Sequence, residues 1–479
     1  MQFTPKEVAR LIGQRRFGYM AGGAAVVVST IFAIRTLAPE PVATHEAAIS
    51  SDTSSVVVST DSADTAEAAT APTREGLPAR PVVAAHERVP KPAAIRGLYL
   101  NAWAAGSPRK LDKLLGIANR TEINAFVIDV KEGGEISYRS AVPLAAEIGA
   151  DQQYIRNIQG VLAKLKANGI YPIARIVVFK DKTLARAKPA WAIQKADGSL
   201  WQDHHGDVWV DSFNKHVWDY NIAIAREAVA LGFSEVQWDY VRFPDVPRSY
   251  MRTAVWPAQQ GRTKEDAIRE FLNYSRSQLS DLGVPVTADV FGLTVSAHDD
   301  MGIGQLWEKM ADATDVLLPM VYPSHFARGS YGIAYPNAEP YNTIRTSMAH
   351  ALKRMQGVSS AASIRPWLQD FTLGAPRYGA EHVRAQIAAV YDAGLEEWIL
   401  WNPGSNYTVG ALASRDGVAP AIAIPGRKPP ADKPSVTEVK ADTVAKKPVS
   451  DTVRRVGPRL WGLPLRLDTT KKTRPDATR

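Results

Sequence analysis

Four aspartates, each at the end of an apolar run, carry most of the chemistry this chain can offer. The stretch SEVQWDYVRFPD, Ser234 to Asp245, reads as a buried strand that sets a carboxylate, Asp239, between Trp238 and Tyr240. Asp129 occurs in FVIDVKE with Lys131 and Glu132 just beyond it, Asp289 in TADVFG, and Asp370 at the end of IRPWLQD. Between them lie Arg175 in YPIARIVVF, Tyr322 in DVLLPMVYP, and Trp401 with Asn402 in EWILWNP. Acids gathered at one place repel one another unless they are protonated, paired, or offered to a cationic transition state. Acid/base work on a sugar, whose cleavage passes through an oxocarbenium-like state, suits such a set. A structural reading stands beside it, because networks of ion pairs also place acids at strand ends. In that reading Asp239 is the buried acceptor of an ion pair with Arg175, and Asp289 caps the loop that follows it.

Other chemistries drop out. There are no cysteines, so disulfides and thiolate catalysis are excluded. His204 and His205 in SLWQDHHGDVWVD are adjacent, and neighbouring side chains rarely bind one ion together, so neither a metal site nor a cofactor is expected. The formal charge of +8 owes much to the two ends of the chain, and no basic stripe with interleaved aromatics points to nucleic acid.

What must position these residues is a repeat of short apolar runs and amphipathic stretches between Ile95 and about Ala413. The runs beginning at Arg96, Ala125, Tyr171, Glu235, Val284, Asp315, Ile364 and Glu397 predict eight strands, with seven helical segments between them. Eight βα units over this length predict an α/β fold, a (β/α)8 TIM barrel, whose site lies at the carboxyl ends of the strands. An open doubly wound sheet lacks support, since no glycine-rich phosphate fingerprint follows the first strand. Alternation along the fourth strand turns Trp238 toward the helices and Arg242 away from Asp239, which leaves Arg175 as the better partner of that aspartate. Trp103, Trp201, Trp209 and Tyr322 fall where rings could stack against sugars, with core packing the competing reading of each tryptophan.

VQWDYVRFP, TADVFG and FVIDVKE, in this order on strands four, five and two, together resemble the bacterial putative glycoside hydrolase family. That family is a TIM-barrel group related at fold level to the α-amylase-like and other retaining glycosidases. The resemblance covers about Ile95 to Tyr407 and implies a glycoside hydrolase. By analogy with retaining barrels whose nucleophile lies on the fourth strand, it implies Asp239 as nucleophile and Asp289 as acid/base. The amylase-like pattern has a glutamate on the fifth strand where this chain has the shorter Asp289, so Glu132, Asp129 and Asp370 compete for that role. Asp129, Glu132, Arg175, Tyr322, Asp370, Trp401, Trp103 and Trp201 are then expected to bind or orient the substrate. A barrel that kept its groove and lost its chemistry, binding carbohydrate or organising the envelope, is the alternative.

Outside residues 95–415 the composition changes. Arg10, Arg15 and Arg16 precede an uncharged run from Phe17 to Ile34, about the length needed to cross a bilayer. Residues 1–37 are therefore expected to be a signal anchor or a cleaved signal peptide, with the amino terminus in the cytoplasm. Residues 38–94, rich in Ala, Ser, Thr and Pro, read as a disordered linker, and 425–479, rich in Pro and Lys, as a disordered basic tail. The expected partners are a polysaccharide or oligosaccharide and, through the first helix, the cytoplasmic membrane, with the barrel on its periplasmic or extracellular side or secreted after cleavage.

Overall fold

The computed structural model describes residues 88–359 and 362–427. The segment 1–37, most of the linker and nearly all of the basic tail lie outside the described residues. Eight parallel strands close on themselves: β1 Arg96–Leu100, β2 Ala125–Glu132, β3 Tyr171–Val177, β4 Glu235–Asp239, β5 Val286–Phe291, β6 Val316–Met320, β7 Trp367–Gln369 and β8 Trp398–Trp401. Each pairs with its neighbours in chain order, and β8 returns to β1, so no strand of the ring is left as an edge. Among the described residues seven helices of seven or more residues pack outside: α1 Pro108–Ala118, α2 Ile158–Ala167, α3 Lys215–Leu231, α4 Lys264–Leu279, α5 Trp307–Ala313, α6 Pro340–Met355 and α7 Ala380–Asp392. The (β/α)8 reading of the sequence is borne out.

Local rules explain the boundaries. Helix α3 starts where the Asn214 side chain accepts the His216 N–H, and it stops at Gly232, whose φ of 119° is open to glycine and strained for other residues. Helix α4 has a Thr263 cap and two acids in its first turn, which favour its positive end. Two strands stop or break at identifiable residues. The fourth ends at Asp239 because Tyr240 takes a left-handed φ of 49°. The seventh is split into Ser363–Ile364 and Trp367–Gln369, because Pro366 has no N–H to give to the ladder.

Alternation sorts the strand residues into two layers. Leu98, Phe126, Ile128, Ala174, Val236, Trp238, Ala288, Leu317 and Leu368 join the large cluster under the helices. Tyr99, Val127, Ile173, Leu318, Trp367 and Ile399 fill the barrel interior. Trp238 is fully buried and donates to Ser275 Oγ of α4 at 3.2 Å, as its outward position requires. The floor of the interior is ionic: Arg365 reaches Glu235 Oε1 at 2.6 Å and Glu397 Oε2 at 2.8 Å, with no exposure of either Arg365 or Glu235.

The chain enters the barrel at this floor. Ser234 Oγ donates to Val89 O, Asn124 Nδ2 donates to Ala94 O, and Lys91 pairs with Glu397. After β8 no long helix follows among the described residues. A single turn, Val409–Ala411, leads to Ala413, whose N–H is held by Glu122 at the foot of β2. No helix among the described residues is long and apolar enough to cross a membrane.

Candidate active site

The interior positions at the carboxyl ends of β2, β3 and β4 bring three carboxylates to one guanidinium. Arg175 Nε and Nη2 both donate to Asp239 Oδ2, at 2.9 and 2.6 Å. Its Nη1 donates to Asp129 Oδ1 and Glu132 Oε2, each at 2.5 Å. Burial works against the charge on Arg175, but the surrounding carboxylates outweigh it and hold the guanidinium well above its usual pKa. One cation does not balance three acids. Burial accordingly raises Asp129 to about 6, with Glu132 pushing the same way against the pull of Arg175.

The route by which Glu132 arrives was not legible from strand alternation. A bulge between Asp129 and Lys131 shifts the β2–β3 register. Lys131 then points out of the barrel into a fully buried pair with Asp181 at 2.7 Å, with further bonds to Val177 O and Asn221 Oδ1. The next side chain, Glu132, swings over the mouth to Arg175, and about half of it stays exposed. Bulges re-aim side chains in this way beside active sites.

Asp239 and Asp289 occupy neighbouring strands and differ in their surroundings. Asp239 is 6 % exposed, has its charge met by Arg175, and accepts the N–H of Tyr240 on Oδ1 at 2.5 Å. Tyr240 itself takes a left-handed φ of 49°, an uncommon conformation that strained active-site loops use. Asp289 is 1 % exposed and accepts from Gln237 Nε2 on both oxygens, at 2.8 and 3.0 Å, and from Trp367 Nε1 at 2.6 Å. Burial first and the Asp239 charge second drive its carboxyl well above the usual range, so it keeps a proton where ordinary aspartates have lost theirs. Two acids whose environments separate them suit one to carry charge and the other to donate a proton.

Aromatic rings line the rest of the mouth. Tyr322 stacks on Trp401 with centroids 5.4 Å apart, and Phe371 meets Trp401 edge-on at 5.1 Å. Tyr99 of β1, which the sequence reading passed over, donates to Asp129 Oδ2 at 2.6 Å and lays its ring 5.7 Å from the Arg175 guanidinium. Its odd-numbered place on β1, two residues after Gly97, was the available signal. Gln237 and Trp367, which hold Asp289, were missed as well, and both follow from the same alternation. Arg242 faces away from Asp239, its guanidinium among the rings of Trp209, Tyr240 and Phe291.

Two residues expected to touch the substrate are engaged within the protein. Trp201 is 1 % exposed and gives its indole N–H to Thr253 Oγ1 and Tyr250 O, so no ring face is left for a sugar. Asp370 is buried and occupied in fastening the loop after β8, accepting the Thr408 N–H and hydroxyl at 2.8 and 2.6 Å. Trp103 remains open, 65 % exposed. Two cavities, of about 350 and 760 Å3, open away from the mouth, one at the floor beside Glu122 and one along α3 and α4. No group of three or more His, Asp or Glu residues among those described is placed to hold a metal ion.

Residues 97–407 match the family model described as "Putative glycosyl hydrolase domain". The chain belongs to this family. Glycoside hydrolysis is the activity class that membership assigns, and a saccharide is its substrate class. The family segment spans the barrel from β1 to the loop after β8, and every residue of the Arg175 cluster lies inside it. Among solved structures, a hypothetical protein from Ruminiclostridium thermocellum is 39 % identical, with 43 % of this chain and 98 % of that one covered and a TM-score of 0.37. The glycoside hydrolase domain of PgaB (BpsB) from Bordetella bronchiseptica is 14 % identical, with 67 % and 99 % covered and a TM-score of 0.47. The α-galactosidase TtGalA from Thermus thermophilus is 16 % identical, with 66 % and 60 % covered and a TM-score of 0.41. No curated protein matches the chain.

Proposed function

We propose that this chain hydrolyses glycosidic bonds of an envelope or extracellular polysaccharide, with Asp239 as nucleophile and Asp289 as proton donor. The observation that carries this reading is the pair itself. Asp239 has its charge met by Arg175, while its neighbour Asp289 is buried with its carboxyl raised well above the usual range. The two sit at the carboxyl ends of neighbouring, hydrogen-bonded strands, an arrangement compatible with the roughly 5 to 5.5 Å carboxyl separation of retaining glycosidases. In the first step Asp239 attacks the anomeric carbon as the Asp289 proton passes to the leaving oxygen. In the second, Asp289 takes a proton from water as that water cleaves the glycosyl ester and frees Asp239. The product keeps the anomeric configuration of the substrate. In the cell, we place the barrel outside the cytoplasmic membrane, held by Phe17 to Ile34, a reading supported by the uncharged run and the arginines before it.

A second reading keeps Asp239 and gives the proton to Glu132, because about half of the Glu132 side chain is exposed whereas Asp289 is almost sealed. One experiment separates the two. The full chain is screened for release of reducing ends from envelope polysaccharides, and Asp239→Asn, Asp289→Asn and Glu132→Gln are compared on the substrate found. Asp239→Asn should lose activity by about a thousandfold or more. A comparable loss in Asp289→Asn alone assigns the proton to that residue, and the same loss in Glu132→Gln alone moves it. Full activity of Asp239→Asn would sink both readings.

A further inference from the structure

The rim of the mouth exposes large aromatic rings in two separate places, after β1 and after β6, and the carboxylate cluster uses neither. Trp103 stands in the short helix Ala102–Gly106 that leaves β1. Its ring rests on that of Tyr154, centroids 4.6 Å apart. Tyr154 comes from the segment after β2, and its hydroxyl is fixed to Glu135 Oε2 at 2.7 Å. Across the barrel, Tyr335 in the loop after β6 is 54 % exposed, with the Arg328 guanidinium 4.3 Å from its ring centroid. Two residues on, Asn337 donates to Leu373 O and Ala375 O, tying this loop to the one after β7.

Single exposed rings are ordinary on protein surfaces. These two differ in being held in place and in their positions. Each has a neighbour against its ring, the partly buried Tyr154 for Trp103 and the exposed Arg328 for Tyr335, which reduces the freedom lost when something stacks on it. In the ring of eight strands β2 and β6 are diametrically opposed. Strands about 4.8 Å apart, tilted by about 36°, put that diameter near 15 Å, wider than one sugar ring. Arg175 and Asp239, on β3 and β4, lie between the two sides. A site for a chain end would be walled on one side, whereas this one has a platform on each side, one built from the segments after β1 and β2 and the other from the loop after β6.

We infer that the mouth is the middle of an extended groove that holds an internal stretch of a polysaccharide, with Trp103 on Tyr154 as one sugar platform and Tyr335 as the other. The substrate class is a polymer cut within its length. This rests on the reading of the mouth as a saccharide site, and its test is separable from that of hydrolysis. The detergent-solubilised full chain carrying Asp239→Asn is run through gels cast with glycol chitin, alginate or dextran, alone and with Trp103→Ala or Tyr335→Ala added. Retardation by at least one polymer is expected, weakened about tenfold by each rim substitution, with melting temperatures unchanged because both rings are largely exposed. No retardation by any of the three, or a rim substitution on either side without effect, would overturn the groove. Retardation that depends on both rings in a parent chain releasing no reducing ends would leave the groove standing and remove the hydrolase. Release of reducing ends by a chain indifferent to both rings would do the reverse.

Discussion

Asp289 is the residue on which the proposed chemistry turns, because its environment and its role make the same demand. A proton donor must hold its proton at working pH, and burial beside the Asp239 charge raises the Asp289 carboxyl well above its ordinary range. The same shift has a stability consequence. A carboxyl that binds its proton more strongly when folded than when unfolded contributes stability that is present at low pH and lost as pH rises through the folded value. Asp129, raised to about 6, acts in the same direction. Asp289→Asn removes one of these groups while keeping its shape, so its melting temperature should gain on the parent's between about pH 5 and about pH 8. Melts across that range check this; a mutant that instead falls further behind as pH rises would mean that the folded protein prefers Asp289 ionised. Asp239 is a different case. Because Arg175 also pairs with Asp129 and Glu132, Asp239→Asn leaves the arginine compensated. Activity, rather than a melt, is therefore the readout that decides its role.

At the scale of elements, the bulge in β2 does what regular alternation cannot. It sends Lys131 and Glu132 to opposite sides of the sheet, and the buried Lys131–Asp181 pair fastens it from behind. Removing one partner of a buried pair leaves the other charge without compensation, which costs about 3 to 5 kcal/mol. Lys131→Met should lose stability of that order in urea unfolding. Lys131→Met with Asp181→Asn should recover much of it, and a double mutant no better than the single would show that the pair is not what holds the bulge. This element also marks where reading from sequence stopped. Eight strands, their inward residues, and the pairing of Arg175 with Asp239 follow from a period of two and from the barrel's order of strands. The bulge does not, since no Gly or Pro interrupts AFVIDVKE to announce it. Trp201 was misread for a related reason. Its burial depends on contacts with Tyr250 and Thr253, about fifty residues away, which no local pattern encodes. The Asp370 bond to Thr408 is likewise a tertiary contact between two loops.

For the whole molecule, the expected tether sets how far from the membrane the site can work. Residues 88–94 lie along the barrel floor, so the expected linker would reach over residues 38–87, roughly 35 to 40 Å for a flexible chain at about 5 to 6 Å times the square root of its length. The full chain should sediment with the membrane fraction, a chain starting after residue 37 should not, and protease added to spheroplasts should digest the barrel. A soluble full chain, or a barrel fully protected in spheroplasts, would refute the proposed location. How the barrel is presented follows from a simpler feature. The residues leading to β1 run beneath the barrel, along Ser234, Asn124 and Glu397, on the face opposite the Arg175 cluster. Any tension transmitted along the chain from before residue 88 thus reaches the barrel at its closed end. In the proposed membrane-held arrangement the leash would meet the barrel at the end away from its mouth, so the leash itself would not stand between the mouth and a polymer, and a linker of that reach would leave the mouth free to turn.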